Sequence, residues 1–189
     1  MPPPDSLTAA RPPAPAAAPD WPAGLHRALS RAGVTQVGIV PDAGHAALIR
    51  LCEADPAMRV VRLTTEEEGI ALAGGAWLGG TRGVVLMQSS GVGNCINMLS
   101  LPATYQLAVP MLITMRGEWG EFNAMQVPMG QATLACLQAM NVVTNHAERA
   151  EDVVEAAEAT LNLAFNTWRP AATLIGQRVL GAKNFKELT

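Results

Sequence analysis

The chain has 189 residues, a net charge of −3 and hydrophobic residues at 49 % of its positions. This length allows one domain with a sizeable core, and the small net charge gives no indication of a nucleic-acid or membrane partner. No apolar run approaches the length of a membrane span. Because a mean hydropathy of +0.18 is high for a protein in water, we expect another subunit to cover part of the surface.

The chain begins with MPPPDSLTAARPPAPAAAPD, a segment rich in Pro and Ala. This composition predicts a disordered or polyproline-like tail over residues 1–20, followed by one domain over residues 21–189. The tail has no basic region followed by an unbroken apolar stretch, so we do not interpret it as a signal peptide.

Helical and strand patterns alternate from Trp21 onward. Predicted helices cover WPAGLHRALSRAG, AGHAALIRLCEAD, TEEEGIALAGGAWLGG, VGNCINMLSLPATYQL, QATLACLQAM and RAEDVVEAAEATLNLAFNTW. Predicted strands cover QVGIVP, MRVVRLT, RGVVLMQ, PMLITMRG, NVVTN and PAATLIG. Short apolar strands without alternation indicate a parallel sheet covered on both faces. We therefore predict an α/β fold, doubly wound, with a mostly parallel six-stranded sheet and helices on both faces.

Ligands of such sheets bind at the carboxyl ends of the strands. The segments at these predicted ends are 41–45, 64–68, 88–94, 116–131 and 145–146. Cys52, Cys95 and Cys136 are scattered and form no metal pattern, so we interpret them as reduced core thiols of a cytoplasmic protein. We expect this chain to bind no metal ion itself.

The run Glu66–Glu67–Glu68 opens one predicted helix. Thr65 and Glu68 have the spacing of a capping box, and Glu66 has the simple interpretation of a solvated first-turn residue. At 100° per residue, Glu67 shares a face with small and apolar residues such as Gly74. A carboxyl group on such a face is partly desolvated and needs a partner. The alternative is a salt bridge to an arginine or a frayed helix start.

Several segments resemble one known family. EEGIALAGGAWLGG, RGVVLMQSSGVGN, VPMLITMRGE and FNAMQVPMG are similar to the pyrimidine-binding domain of thiamine diphosphate-dependent enzymes of the pyruvate decarboxylase and acetolactate synthase type. VPDAGHAALI, SSGVGN and RGEWGEFNAMQVPMGQA resemble, more narrowly, the sulfopyruvate decarboxylase alpha subunits and their phosphonopyruvate decarboxylase relatives. The resemblance runs from about residue 25 to residue 180.

The resemblance implies a partner for Glu67, which it places at the family's glutamate. That glutamate hydrogen-bonds the N1′ nitrogen of the cofactor's aminopyrimidine ring and stabilises its imino tautomer. The resemblance also places Asp42 and His45 where the family has groups that face the substrate, so both are candidates for proton transfer. The alternative for Asp42 is a helix N-cap.

Further candidate ligands lie at the next strand ends. Glycine-rich SSGVGN, at a predicted strand-to-helix turn, suits close approach to a cofactor. Its candidate cofactor-binding residues are Ser89, Ser90, Gly91, Gly93 and Asn94. Arg116 could bind a tetrahedral oxyanion of the substrate; the alternative is a salt bridge with Glu118 or Glu121. Asn123 and Gln126 in the following loop are further candidate substrate ligands.

The family binds the diphosphate and a divalent metal through a GDG motif and an asparagine pair on a second domain, and this chain contains neither motif. The resemblance therefore implies a beta subunit that carries the diphosphate-binding domain and Mg²⁺, in a heterotetramer or larger heteromer. The expected reaction is decarboxylation of 3-sulfopyruvate to sulfoacetaldehyde and carbon dioxide. Alternatives are phosphonopyruvate or another 2-oxo acid as substrate, acetolactate-type carboligation, and a non-catalytic scaffold subunit on the same fold.

Overall fold

The computed structural model describes residues 20–181. The predicted tail lies outside this range, except that Asp20 is the N-cap residue of the first helix and accepts a hydrogen bond from the Ala23 amide. Residues 182–189 of the predicted domain also lie outside it.

A six-stranded sheet forms the centre of the molecule, in the order β2-β1-β3-β4-β6-β5. Its strands are β1 Val34–Ile39, β2 Arg59–Arg62, β3 Arg82–Gln88, β4 Val109–Thr114, β5 Val143–Ala147 and β6 Pro170–Ile175. Every neighbouring pair is parallel. All residues of the central strands β4 and β6 are buried. The doubly wound α/β fold with a sheet covered on both faces is thus confirmed.

Eight α-helices surround the sheet within the described range. They are α1 Trp21–Arg31, α2 Ala46–Ala54, α3 Glu66–Leu78, α4 Ser89–Cys95, α5 Ser100–Tyr105, α6 Val127–Ala139, α7 Val153–Thr167 and α8 Gln177–Leu180. One core cluster gathers apolar residues of α1, α2 and α7 on one face of the sheet. A second cluster gathers those of α3, α4 and α6 on the other face. No helix between residues 20 and 181 is long and apolar enough to cross a lipid bilayer.

The single helix predicted over residues 92–107 is two short helices joined by a turn. Pro102 lies in the first turn of α5. Because proline has no N–H group, a helix continuing from α4 would lose one of its hydrogen bonds there, whereas a first turn tolerates the residue. Helix α6 in turn begins earlier than predicted, at Val127, with Pro128 in its first turn.

The direction in which successive strands are added across the sheet reverses between β1 and β3. From β1 the chain crosses to β2 on one side and then returns to β3 on the other. Crevices for ligands form at the carboxyl ends of the strands at such a switch point. The segments that follow β1, β3, β4 and β6 therefore come together at one edge of the sheet.

Candidate active site

Asp42 connects the ends of three neighbouring strands. It follows β1, and its carboxylate accepts hydrogen bonds from Gln88 Nε2 at the end of β3 (2.8 Å) and Thr114 Oγ1 at the end of β4 (2.6 Å). The Gly44 amide donates a third bond, at 3.1 Å. Helix α2 begins only at Ala46, so Asp42 stabilises the turn before that helix and is not its N-cap.

A cavity of about 250 Å³ opens beside Asp42; we call it the strand-end cavity. It is lined by Trp21, Asp42, Ala43, Gly44, Thr114, Arg116, Phe122, Gln177, Val179, Leu180 and Gly181. Arg116 is the cation among these lining residues, and Asp42 is the anion. The cavity thus has a polar floor at the strand ends, and the two charged groups that the sequence predicts there both line it.

Arg116 forms a bidentate ion pair with Glu121. Its Nε and Nη2 atoms donate to the two carboxylate oxygens, each at 2.6 Å. The side chains are 16 % and 3 % exposed, so water screens this pair weakly. The hydrogen bonds from Arg116 lower the pKa of Glu121 to about 2. Of the alternatives considered for Arg116, the salt bridge with Glu121 is confirmed, and it coexists with a place in the cavity wall.

Gln177 donates a hydrogen bond to this ion pair. It was not predicted from the sequence as a site residue. The residue is buried, and its Nε2 donates to Glu121 Oε2 at 2.9 Å. Its Oε1 accepts hydrogen bonds from the amides of Glu118 and Trp119, both at 2.9 Å. A polar residue two positions beyond the apolar strand β6 is the signal that could have found it.

Asn123 and Gln126 do not line the strand-end cavity. Asn123 Oδ1 accepts a hydrogen bond from the Met125 amide at 3.1 Å and so caps a short 3-10 helix over Ala124–Gln126. The Gln126 Oε1 atom is buried and has no hydrogen-bond partner in the described part of the chain. Contact of either side chain with a substrate stays a prediction.

His45 lies in the core beneath the site and is fully buried. Its Nε2 is 3.0 Å from the Leu112 carbonyl oxygen, which can only accept, so Nε2 carries the proton. Burial lowers the pKa of His45 and outweighs the nearby Asp42 charge and the backbone hydrogen bonds, which raise it. The ring of His45 thus lies in the core and does not line the strand-end cavity, and proton transfer by His45 stays a prediction.

Burial within the glutamate run differs from the prediction. Glu66 is 8 % exposed, whereas Glu67 is an exposed residue. Gly69 explains the difference: a Cβ atom there would stand 2.7 Å from Val85 of β3, so that side of α3 packs on the sheet. Glu66 precedes Gly69 by three residues and shares its face. The prediction that Glu67 lies along the buried face is wrong by one position.

Glu68 has the structural role expected of it, with one difference. Its Oε2 accepts a hydrogen bond from the Thr64 amide at 2.8 Å, not from Thr65. Thr65 is the N-cap residue of α3 but its side chain makes no capping hydrogen bond. Glu68 thus satisfies a backbone donor at the helix start, and the full capping box does not form.

The carboxyl group of Glu66 packs against α4. A Cβ atom at Gly91 would stand 2.2 to 2.3 Å from the Glu66 Cδ, Cγ and Oε1 atoms, so only glycine allows this approach. Asn94 Nδ2 donates a hydrogen bond to Glu66 Oε2 at 2.8 Å. The structure therefore brings two of the predicted cofactor-binding residues, Gly91 and Asn94, into contact with a glutamate.

The serines of the same segment have separate surroundings. Ser89 is buried, and its Oγ accepts a hydrogen bond from the Arg116 amide at 3.0 Å. Ser90 is exposed, and its Oγ donates to Gln88 Oε1 at 2.9 Å. Ser90 thus extends the hydrogen-bond network of Asp42 and Gln88 towards Gly91. At Gly93, a Cβ atom would stand 3.1 Å from the Met129 sulfur, so α4 also lies close to α6.

The described residues contain no group of three or more His, Cys, Asp or Glu side chains that could hold a metal ion. All three cysteines are free; Cys52 and Cys95 are buried and Cys136 is half-buried. Burial raises the pKa of Cys52 to about 11 and that of Cys95 to about 12, so both remain thiols.

Models of known protein families give no match to this chain. Individual proteins do match. The chain is 37 % identical over 119 residues to the sulfopyruvate decarboxylase subunit alpha of Methanothermobacter thermautotrophicus, covering 62 % of this chain and 72 % of that protein. It is 31 % identical over 152 residues to the same subunit of Methanococcus maripaludis, covering 80 % of this chain and 91 % of that protein.

A phosphonopyruvate decarboxylase of Streptomyces viridochromogenes is 41 % identical over 100 residues, which span 52 % of this chain but 25 % of that protein. Among solved structures, the 2-oxoglutarate:ferredoxin oxidoreductase of Magnetococcus marinus matches 82 % of this chain, with a TM-score of 0.69 and 15 % identity. This chain spans 28 % of that structure, and the likeness concerns the fold. Because the two alpha-subunit relatives match over most of their own length, the chain belongs to the family of sulfopyruvate decarboxylase alpha subunits.

Proposed function

We propose that this chain is the pyrimidine-binding alpha subunit of a thiamine diphosphate-dependent decarboxylase. The reaction is conversion of 3-sulfopyruvate to sulfoacetaldehyde and carbon dioxide. The observation that carries the proposal is the buried carboxyl of Glu66, held between Gly91 and Asn94 beside the strand ends. The family to which the chain belongs supports the choice of substrate class. The buried carboxyl group of Glu66 supports binding of the cofactor.

The surroundings of Glu66 fit an aminopyrimidine ring. Oε2 is bonded to Asn94, but Oε1 accepts no hydrogen bond from any residue between 20 and 181. A poorly solvated carboxyl oxygen needs a polar partner, and a ring nitrogen that shares a proton is one. Glu66, not Glu67, would hold the N1′ nitrogen and exchange the proton there. When bound, thiamine diphosphate supplies a nucleophilic carbon and an electron sink that let carbon dioxide leave.

The strand-end cavity suits the anionic substrate. Arg116 uses Nε and Nη2 for Glu121, which leaves Nη1 as the guanidinium nitrogen without a carboxylate partner among the described residues. A sulfonate group presents tetrahedral oxygens that such a nitrogen can bind. Asp42 is fixed in the same wall by three hydrogen bonds and is our candidate for proton exchange with the substrate.

A beta subunit completes the site in this proposal. The exposed Glu67 and Asn94 flank the buried Glu66, so the cofactor edge of the chain faces outward. On the same helix Leu78 is 75 % exposed, an apolar surface that a partner would cover. The partner would contribute the diphosphate-binding residues and Mg²⁺, for which this chain has no GDG motif.

Phosphonopyruvate is the second candidate substrate, and the 41 % identity to a phosphonopyruvate decarboxylase favours it. Sulfonate and phosphonate are both tetrahedral oxyanion groups, so Arg116 could bind either. Phosphonate carries up to one more negative charge. A cavity whose arginine is already paired with Glu121 has less positive charge to offset it, which favours the sulfonate.

Reconstitution tests the proposal. The chain is co-expressed with a candidate beta chain that contains a GDG motif and a following asparagine pair, and aldehyde release is measured with thiamine diphosphate and Mg²⁺. We expect sulfoacetaldehyde from sulfopyruvate, slower turnover of phosphonopyruvate, and no activity from either chain alone. A ketol product would indicate carboligation. Absence of thiamine-dependent activity with every candidate beta chain would favour a scaffold role and contradict the proposal.

A further inference from the structure

Asn94 and Gly91 lie one turn apart on the face of α4 that contacts Glu66. Positions i and i+3 of a helix are neighbours on its surface. Gly91 provides a hollow for the carboxyl group, and Asn94 provides a hydrogen-bond donor at 2.8 Å from Oε2. One oxygen of Glu66 is therefore fixed by α4, while Oε1 remains without a donor among the described residues.

We propose that Asn94 is a positioning residue: its side-chain amide holds Oε2 of Glu66 so that Oε1 faces the aminopyrimidine ring. This inference rests on the proposed function. Asn94 acts through Glu66 and requires no contact of its own with the reacting atoms. A free glutamate side chain has several rotamers, and fixing one of its oxygens removes that freedom before the cofactor binds.

The chemical type of the residue supports this role. An asparagine amide can donate both to a carboxylate and to the carbonyl oxygen of a protonated carboxyl group, and it carries no full charge. An arginine or lysine in its place would favour the ionised form. The chain shows that contrast within itself: Arg116 pairs with Glu121 and lowers its pKa to about 2, whereas the ion pairs among residues 20–181 do not include Glu66. A neutral donor at this position is compatible with a carboxyl group that exchanges a proton.

A different role for Asn94 would be to fill space between α3 and α4. Aspartate has nearly the same size as asparagine but replaces the donor with a second negative oxygen. Asn94→Asp therefore preserves packing while it removes the hydrogen bond and adds like-charge repulsion against Glu66. Asn94→Ala removes both the packing and the hydrogen bond but adds no charge. A space-filling role predicts that alanine is the more damaging change, and the positioning role predicts that aspartate is.

The first test uses the full chain by itself. In the ¹⁵N-labelled protein, the side-chain amide signal of Asn94 is identified by its loss in Asn94→Asp. We expect Glu66→Gln to shift this signal and Glu67→Gln to leave it in place. If neither substitution moves the signal, the hydrogen bond is absent in solution and the inference is wrong.

The second test uses the complex with the beta subunit. We measure the dissociation constant of thiamine diphosphate and the circular-dichroism band of the imino form of its pyrimidine. For Asn94→Asp we expect cofactor binding weakened by about tenfold or more, because the substitution removes the hydrogen bond to Glu66 and adds a like charge beside it. We also expect Asn94→Asp to lose the imino band. Asn94→Ala should have the smaller effect on both the dissociation constant and the band.

Glu66→Gln separates this inference from the proposed function. If Glu66→Gln loses the imino band while Asn94→Asp retains it and binds the cofactor as the wild type does, Asn94 is not a positioning residue and the proposed function stands. If Glu66→Gln itself retains the band, the role of Glu66 is wrong and the inference fails with it. A melting temperature of each variant close to that of the wild type excludes general unfolding as the cause.

Discussion

Gly91 lies so close to Glu66 that a Cβ atom at position 91 would stand 2.2 Å from the carboxyl carbon. Gly91→Ala must therefore displace the carboxyl group, and we expect activity of the complex to fall by at least about tenfold, the range of a misplaced catalytic group. The added methyl group should also lower the free energy of unfolding by about 1–3 kcal/mol. Steady-state kinetics and urea unfolding measure the two effects.

Gly75→Ala is the matched control for this substitution. Gly75 lies in α3, and a Cβ atom there meets nothing within 4 Å. Alanine at this helical position should raise the free energy of unfolding of the chain by about 0.4–1 kcal/mol. Equal loss of stability in both variants would contradict the contact between Gly91 and Glu66.

Asp42 and His45 are three positions apart but should respond to substitution in different ways. Asp42→Asn replaces an oxygen that accepts hydrogen bonds with a donor, so the bonds from Gln88 and Thr114 cannot both persist. We expect kcat to fall by about a hundredfold, as for loss of a general acid or base. A kcat close to that of the wild type would remove Asp42 from the proposed chemistry.

For His45 the expected effect is on stability. Its pKa is lowered by burial, so the native state binds its proton at lower pH than the unfolded chain does. The unfolded state gains protons as the pH falls below the ordinary value of 6.5, and this lowers the stability of the native state. His45→Gln should weaken this dependence between pH 6.5 and pH 5 in urea unfolding while retaining measurable turnover. A loss of turnover as large as that of Asp42→Asn would contradict a purely structural role.

The Arg116–Glu121 ion pair should make the stability of the chain depend on pH in the acid range. The folded pKa of Glu121, about 2, lies below its ordinary value of 4.5. Its contribution to stability is therefore fully present above pH 4.5 and is lost as the pH falls towards 2. Glu121→Gln leaves the Arg116 charge buried, and we expect it to lower the free energy of unfolding by about 3 kcal/mol at pH 7.

Urea unfolding at pH 7, 5, 4 and 3.5 checks this prediction, because the difference between wild type and Glu121→Gln should narrow below pH 4.5. The exposed pair Arg62–Glu53 gives the control, since it should contribute little at any pH. If the difference in free energy of unfolding between wild type and Glu121→Gln stays constant across this pH range, the ion pair is not the cause of that difference.

The fold could be predicted from the sequence because its strands are buried on both faces. The run VVLM within the predicted strand RGVVLMQ, which forms β3, has no alternation with polar residues, and a parallel sheet covered on both faces buries such a run. Helix boundaries were harder to predict. The break between α4 and α5 depends on one missing N–H group, at Pro102, within a sequence that otherwise has a helical pattern.

The candidate site could be predicted only in part. The carboxyl ends of the strands follow from the fold class, so Asp42 and Arg116 could be placed there in advance. The periodicity favoured Glu67, whereas the structure buries Glu66, because every residue from Gly69 to Leu78 is small or apolar and both helix faces look buried. The orientation of α3 on the sheet decides it, through the contact between Gly69 and Val85.

The two adjacent glutamates allow the most direct test of the whole account. The glutamine variants of Glu66 and Glu67 have the same amino-acid composition, and each is assayed in complex with the beta subunit for thiamine diphosphate-dependent release of sulfoacetaldehyde. We predict that Glu66→Gln lowers kcat by about a hundredfold or more, while Glu67→Gln assembles and turns over like the wild type. Normal turnover by Glu66→Gln, or loss of turnover by Glu67→Gln alone, would contradict the central claim that the buried carboxyl of Glu66 serves the cofactor.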